Sequence, residues 1–382
     1  MLIALDARSI YAPQRRATGK GLINLYRALG EVRPDWRVIA FHRQPGRVDK
    51  RMMGTQVATR RVEMVGDRFD AWERIRLPLA ARRVGANVLH CPSGTCPNWM
   101  PIDTIVTIND FHLLDAPEAE VPPLVRKRVE QSTNAATRRA SWIVCPSKFI
   151  RDRLVSEFSV DPDRLSLVQP ASDMEPEEAS DITMGVFAKY GIEDKYALHF
   201  GGAAARKNTK LVLEAWSLQH ESTHRMAQLL VVGLDVQTKR ELSVVAHRLG
   251  IQNRVSLHGF VEDDELRTLL HGARALIYPS RCEGFGAEIL DAWATETPVL
   301  TSYCSSFPEL AGDAAMYADP EDPCGIARGM HRVIREAPVR RNLIDLGHKR
   351  LARYSWDLTA EQFAQSIEKA SGAITRRRKA AA

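Results

Sequence analysis

The stretch Ser280–Leu300, SRCEGFGAEILDAWATETPVL, decides the fold. The apolar run ALIYPS ends at Ser280 and reads as a strand. A short loop then carries Glu283, Gly284, Phe285 and Gly286. A helix is expected from about Ala287, and the next apolar run opens at Pro298. Two glycines let backbone N–H groups approach a ligand closely. The loop also lies at a helix N-terminus, where unpaired N–H groups and the dipole favour an anion. A carboxylate beside an anion site would repel a phosphate, so Glu283 is better placed to accept hydrogen bonds from hydroxyls. Phosphate on one side and hydroxyls on the other suit a sugar nucleotide.

A second loop of this kind lies upstream. Tyr196–Gly201, YALHFG, reads as a buried strand, followed by Gly202, three alanines, Arg206, Lys207 and Asn208. Asn208 is a good N-cap for a helix with the apolar stripe Leu211, Val212, Ala215, Trp216 and Leu218. Two adjacent cations at a helix N-terminus can neutralise a diphosphate. An isolated Arg-Lys pair is commonly a solvated cap, but the glycine-rich strand–loop–helix setting favours a phosphate cradle.

Five motifs in order, FGGAAARKN (200–208), HGFVEDDEL (258–266), ALIYPSRCEGFG (275–286), PVLTS (298–302) and SSFPELAGDAAMYADPEDP (305–323), resemble the C-terminal half of glycosyltransferase family 4. The flavour is that of bacterial mannosyltransferase-like proteins of polysaccharide assembly. The resemblance implies an α/β protein of GT-B fold, two doubly wound Rossmann-like domains facing a central cleft. It further implies retaining transfer from a nucleotide-diphosphate sugar to a glycan or lipid-linked acceptor.

Length and patterning agree. The 382 residues suit two domains, and 45% hydrophobic residues supply both with a core. Short apolar runs at Leu2–Asp6, Val38–His42, Val88–His90, Thr104–Ile108 and Trp142–Cys145 alternate with helical stretches near 21–30, 71–83, 124–139 and 149–158. The second half repeats the scheme, and such alternation argues a parallel sheet. The Pro-rich, acidic segment 168–180 marks the junction, giving an acceptor-binding domain over 1–172 and a donor-binding domain over 173–382. The last helix is a candidate to pack back on the first domain.

No run is long enough to span a membrane, and MLIALDARS reads as a strand rather than a signal peptide, so a cytoplasmic protein is expected. The six cysteines (91, 96, 145, 282, 304 and 324) lack C-x-x-C spacing, and free, mostly buried thiols are expected. His90, Cys91, Cys96 and His112 fit no usual zinc spacing. Residues 1–170 hold 27 Lys/Arg against 18 Asp/Glu, and the remainder 26 against 29. No nucleic-acid motif accompanies this N-terminal excess. The excess serves solubility or peripheral contact with an anionic membrane surface. A helix bearing Phe69, Trp72, Ile75 and Leu79 among Arg68, Arg74, Arg76, Arg82 and Arg83 could rest on such a surface. The simpler reading packs its apolar stripe on the sheet.

Residue by residue, the resemblance assigns Arg206 and Lys207 to the donor diphosphate, with Gly202 where the family often has Arg. Gly201 and Gly202 approach the phosphates. Glu283 matches the first Glu of the Glu-x7-Glu motif and takes a donor sugar hydroxyl, with the N–H groups of Gly284, Phe285 and Gly286 nearby. The second Glu, which holds the ribose, falls on Asp291, whose reach is shorter by about 1.5 Å, one C–C bond. Gly259, Phe260 and Val261 are placed near the base. Glu296 stands where the family prefers a left-handed glycine cap, so a different helix end is expected. Thr18-Gly19-Lys20-Gly21 is a turn before a helix, with Gly19 and Lys20 facing phosphate or acceptor. The family's His-Asp pair is Asn109-Asp110 here. Asp110 could orient a hydroxyl, and His112 could substitute for the missing His. No cofactor or metal is implied, since the cations supply the charge and Asp263-Asp264 reads as a helix N-terminus. The departures at 109, 291 and 296 leave open a non-catalytic partner subunit. A sugar-nucleotide epimerase or a phosphorylase shares the fold.

Overall fold

A computed structural model describes residues 1–12, 17–43, 54–64, 71–117, 119–174, 181–192, 195–219 and 227–372. Arg68, Phe69, the end of the 168–180 junction and the basic run Arg376–Lys379 lie outside them. The chain divides into two compact units. One holds 1–114, 123–171 and the chain from Tyr354; the other holds 115–122 and 172–353. The short segment 115–122 groups with the second unit, and the chain beyond 353 groups with the first.

The first unit is built on seven parallel strands among the described residues: β1 (Leu2–Asp6), β2 (Arg37–His42), β3 (Val57–Arg61), β4 (Val88–Cys91), β5 (Asp103–Thr107), β6 (Trp142–Cys145) and β7 (Leu165–Leu167). Their order is β3-β2-β1-β4-β5-β6-β7. The two edge strands, β3 and β7, add to the five legible apolar runs. VATRR is half polar and LSL only three residues long, so neither shows as a buried run. Successive β1 side chains point to opposite faces. Ile3 and Leu5 join Tyr26 and Leu29 of α1 (Ala17–Val32), while Ala4 joins Trp72, Leu89 and Ile143 on the other side. A π-helical turn, Trp72–Arg76, precedes α2 (Leu77–Arg83). Trp72 is fully buried but Ile75 is exposed, so the expected apolar stripe is interrupted there. Helices α3 (Pro123–Arg139) and α4 (Lys148–Phe158) follow, and Ser147 caps α4 by accepting from the Ile150 N–H at 3.2 Å.

The second unit has six parallel strands among the described residues: β8 (Tyr196–Phe200), β9 (Gln228–Val232), β10 (Val255–Leu257), β11 (Ala275–Tyr278), β12 (Val299–Ser302) and β13 (Met316–Ala318), in the order β10-β9-β8-β11-β12-β13. Its helices are α5 (Asp181–Lys189), α6 (Thr209–Ser217), α7 (Val236–Arg248), α8 (Asp263–His271), α9 (Ala287–Ala294), α10 (Phe307–Ala311), α11 (Pro323–Arg335) and α12 (Ala337–Leu351). The last described helix, α13 (Trp356–Ala370), belongs to the first unit. Its Phe363 lies 4.7 Å from the His90 ring and 6.0 Å from Tyr26, centroid to centroid. Thr359 donates to the Gln169 carbonyl at 2.7 Å.

Candidate active site

Ligands of open parallel sheets gather beyond the carboxyl ends of strands, where the strand order reverses. In the second unit that reversal lies between β8 and β11. The loop after β8 carries Gly201, Gly202, Arg206 and Lys207, and the loop after β11 carries Glu283–Gly286. Both motifs therefore flank one switch point. Arg281 ties the loops together, its N–H donating to the Arg206 carbonyl at 2.8 Å and its guanidinium to the Ala205 carbonyl at 3.1 Å. Two glycines are sterically required. A Cβ on Gly201 would meet Val231 and Leu234 at 2.7 and 2.8 Å, and Gly286, at φ 89°, would place one 2.6 Å from Phe307.

The charged side chains converge. Glu283 Oε1 pairs with the Arg206 guanidinium, with Lys207 Nζ at 2.9 Å and with the Tyr278 hydroxyl, which donates at 2.9 Å. Lys207 also donates to the Tyr278 oxygen at 2.8 Å and to Glu288 Oε1 at 3.2 Å. Burial pushes the Glu288 carboxyl up, but the Lys207 ammonium and hydrogen bonds from its own N–H and from Lys207 hold it below the ordinary carboxylate range. Burial, reinforced by Glu283, raises the Tyr278 hydroxyl well above its usual value, so it stays a neutral donor. Beneath the cluster, buried His199 contacts the Ile277 carbonyl at 2.7 Å and Thr209 at 3.1 Å. Tyr278, within ALIYPSRCEGFG, reads only as a strand residue, and Glu288 is signalled only by its helix-start position.

Several expected roles are revised locally. Asn208 stands at the start of α6 but makes no side-chain cap. Its backbone is left-handed (φ 59°), and its Nδ2 donates to the Pro279 and Pro320 carbonyls at 3.1 and 2.7 Å. Asn208 thus fastens the cation loop to its neighbours rather than capping the helix. Glu296 also holds a left-handed conformation (φ 58°), the backbone a glycine cap would adopt. Asp291 Oδ1 accepts from the Ser172 hydroxyl at 2.6 Å, and Ser172 in turn accepts from the Met174 N–H at 3.1 Å. The Gly259 carbonyl accepts from Gly233 at 2.8 Å; beyond it Phe260 is exposed and Val261 buried. Phe285 is buried too, and the Ser306 hydroxyl donates to its carbonyl at 2.9 Å. Glu120, from the segment 115–122, accepts from the Ala205 N–H at 3.0 Å.

In the first unit the order reverses between β1 and β4. A cavity of about 370 Å³ opens there, lined by Ser9, Ala12, Thr18, Gly19, Ser93, Gly94, Asn109, Asp110 and His112. Four of the sequence-selected residues, Gly19, Asn109, Asp110 and His112, thus share one cavity. Lys20 is not among its lining residues. Helix α1 begins at Ala17, so Thr18–Gly21 is its first turns rather than a turn before it. Asp110 Oδ1 contacts His112 twice, through the ring Nδ1 and through the backbone N–H at 3.1 Å. Asn109 Nδ2 donates to the Pro92 carbonyl at 3.2 Å. His90 uses both ring nitrogens on Tyr26 and Thr107, each at 2.8 Å. Among the described residues no cluster of three His, Cys, Asp or Glu is arranged to hold a metal. All six cysteines are free, but only Cys91 and Cys145 are buried, fewer than expected.

Two parallel-sheet Rossmann-like units in one chain, each with its loops at a switch point, define a protein of the GT-B class. Residues 186–350 match the family described as Glycosyl transferases group 1. It is similar to O-antigen chain mannosyltransferase B of Escherichia coli, 28% identical over 273 residues, 71% of each chain. Two further relatives are matched over only 53% and 62% of their own lengths. Among solved structures, sucrose-phosphate synthase from Thermosynechococcus elongatus superposes with a TM-score of 0.75 at 18% identity over 100% of both chains. Anabaena HepE in complex with UDP and glucose superposes with a TM-score of 0.74 at 15% identity, over 96% of this chain and 99% of that one. Identities this low speak to the fold alone. No helix among the described residues is long and apolar enough to cross a membrane.

Proposed function

We propose that this glycosyltransferase is a retaining enzyme that moves a hexosyl group, mannose-like, from a nucleotide-diphosphate sugar to a hydroxyl of a glycan or lipid-linked glycan. The observation that carries this reading is the convergence of Arg206, Lys207 and Glu283 at the β8/β11 switch point. Arg206 and Lys207 would hold the diphosphate. As the bond from the anomeric carbon to phosphate oxygen breaks, negative charge grows on the leaving group, and fixed cations stabilise it more than the ground state. Glu283, held through Oε1 by the two cations and Tyr278, would accept from sugar hydroxyls through Oε2. Asp291, held by Ser172, would take the ribose, and the Gly259–Val261 loop would lie against the base. In the first unit, the cavity of Asn109, Asp110 and His112 would bind the acceptor, with Gly19 in its wall and Lys20 on the adjoining turn. Among the described residues of the Arg206–Lys207–Glu283 cluster, no side chain is assigned as a nucleophile. The acceptor oxygen would therefore attack on the face the phosphate leaves, and its proton would pass to the departing phosphate. Because the cations supply the charge, the reaction would run without a metal. The mannose-like preference rests on the mannosyltransferase relative. The basic excess of residues 1–170 supports a cytoplasmic reaction beside an anionic membrane surface.

The test is transfer by purified protein from UDP-, GDP- and ADP-sugars, with and without EDTA. One donor should be used, EDTA should leave its rate unchanged, and the product should be a new glycoside rather than an epimer. Lys207→Ala should lower transfer by roughly tenfold to a thousandfold. An unaltered rate in Lys207→Ala would remove the cation loop from the mechanism.

A further inference from the structure

Lys207 is already engaged on three sides. An ammonium carries three N–H groups, and three acceptors surround this one: the Tyr278 oxygen at 2.8 Å, Glu283 at 2.9 Å and Glu288 at 3.2 Å. Any phosphate that Lys207 is to hold competes with them. Tyr278 is fully buried and its hydroxyl is committed to Glu283. Glu283 is fixed from three sides, by Arg206, Lys207 and Tyr278, and its side chain is 11% exposed. Glu288 makes the longest contact of the three, and its side chain is 29% exposed. It stands in the first turn of α9, where the helix dipole favours a negative charge. The position is therefore occupied by a stable carboxylate that can let go.

We propose that Glu288 is a positioning residue for Lys207, holding the ammonium extended while the site is empty and competing with the donor diphosphate for it. The competition would set how long the spent nucleoside diphosphate is retained. This rests on the reading of the Arg206–Lys207 loop as the diphosphate cradle. A carboxylate with a purely structural role predicts the opposite sign. Its neutralisation would loosen Lys207 and weaken every ligand.

Calorimetry with inorganic pyrophosphate, the product nucleoside diphosphate and the matching nucleoside separates the cases, using the intact chain and its Lys207→Ala, Glu288→Gln and Glu288→Asp variants. Glu288→Gln should bind pyrophosphate and nucleoside diphosphate about tenfold more tightly, on the scale of one charge-assisted hydrogen bond returned to phosphate. It should bind the nucleoside unchanged. Product inhibition should strengthen in step. Glu288→Asp, one methylene shorter, should tighten binding partially, and it carries the measurement if Glu288→Gln fails to fold. Unchanged or weaker pyrophosphate binding in the Glu288 variants, with binding reduced in Lys207→Ala, would overturn the role of Glu288 and leave the cradle standing. Pyrophosphate binding indifferent to Lys207→Ala would overturn the cradle itself, and this role with it.

Discussion

Replacing Glu283 by Gln should move stability and nucleotide affinity in different directions. Glu283 Oε1 forms ion pairs with Arg206 and with Lys207 at 2.9 Å, accepts from Tyr278 at 2.9 Å, and its side chain is 11% exposed. The amide keeps the shape and one acceptor but loses the charge shared with both cations. Lys207 retains Glu288 at 3.2 Å. A hydrogen bond to a charged group contributes about 1.5–3 kcal/mol, and the amide keeps part of each, so the net loss should be about 2–4 kcal/mol. At roughly 2–4 °C per kcal/mol for a unit of this size, melting should fall by about 4–16 °C. The two cations are then less neutralised and remain available to phosphate. Nucleoside diphosphate affinity should therefore hold or rise, while transfer falls at least about a hundredfold because the sugar loses its carboxylate. Thermal unfolding, calorimetry with the nucleoside diphosphate and initial rates read the three quantities. Loss of nucleoside diphosphate binding in proportion to loss of transfer would refute the division of labour between Glu283 and the cations.

Asp291→Asn should weaken nucleoside diphosphate binding, because an amide offers one oxygen and a donor where a carboxylate accepts two ribose hydroxyls. Asp291→Glu should be tolerated, and identical dissociation constants for all three proteins would mark Asp291 as a bystander. Glu296→Gly should raise the stability of the second unit by about 0.5–1 kcal/mol, since relief of a left-handed side chain (about 1–2 kcal/mol) outweighs the entropy of an added glycine (about 0.4–1 kcal/mol). Thermal unfolding of Glu296→Gly beside Glu296→Ala checks this, and equal melting temperatures would count against the strain at φ 58°. Burial pushes His90 down to about 3 and His199 down to about 4, whereas an unfolded histidine titrates near about 6.5. From pH 6.5 down to those values the unfolded chain binds protons that the folded chain refuses. Stability should thus fall with pH across that window, by up to about 1.4 kcal/mol per pH unit for each histidine. A flat melting profile between pH 6.5 and 4.5, or an unchanged slope in His199→Asn, would contradict this.

The central strands of both sheets were legible because a parallel strand buried on both faces reads as a continuous apolar run, as in ALIY and YALHF. The edge strands were not, since VATRR and LSL have little to bury. The cation and glutamate loops were legible because glycine and charge at a strand end have few other uses. Their partners were not. Tyr278 looks like any β-strand aromatic, Glu288 like any helix-start acid and Ser172 like any linker serine, and only the fold brings them to Lys207 and Asp291. Asn208 and Glu296 show the limit of local rules. Asn208 has the residue type of a cap but turns to two carbonyls of other loops. Glu296 lacks the residue type for its backbone and adopts it nonetheless.

The return of α13 to the first unit bears on how the chain is made. Phe363 packs among Tyr26 and His90, and Thr359 and Gln362 bond to the backbone of Gln169. Burying a side chain such as Phe363 is worth about 1.5–3 kcal/mol, and α13 also buries Ala360, Ala364 and Ile367 beside it. A ribosome adds about 5–20 residues per second, so residues 1–171 wait for the rest of the chain with this face of α1 and the sheet uncovered. The residues up to 353 are complete first, and the second unit can close before the first. The half synthesised earliest is thus the last to reach its final core. A truncation before Trp356 should leave it sticky, protease-sensitive and dependent on chaperones, while the second unit remains intact.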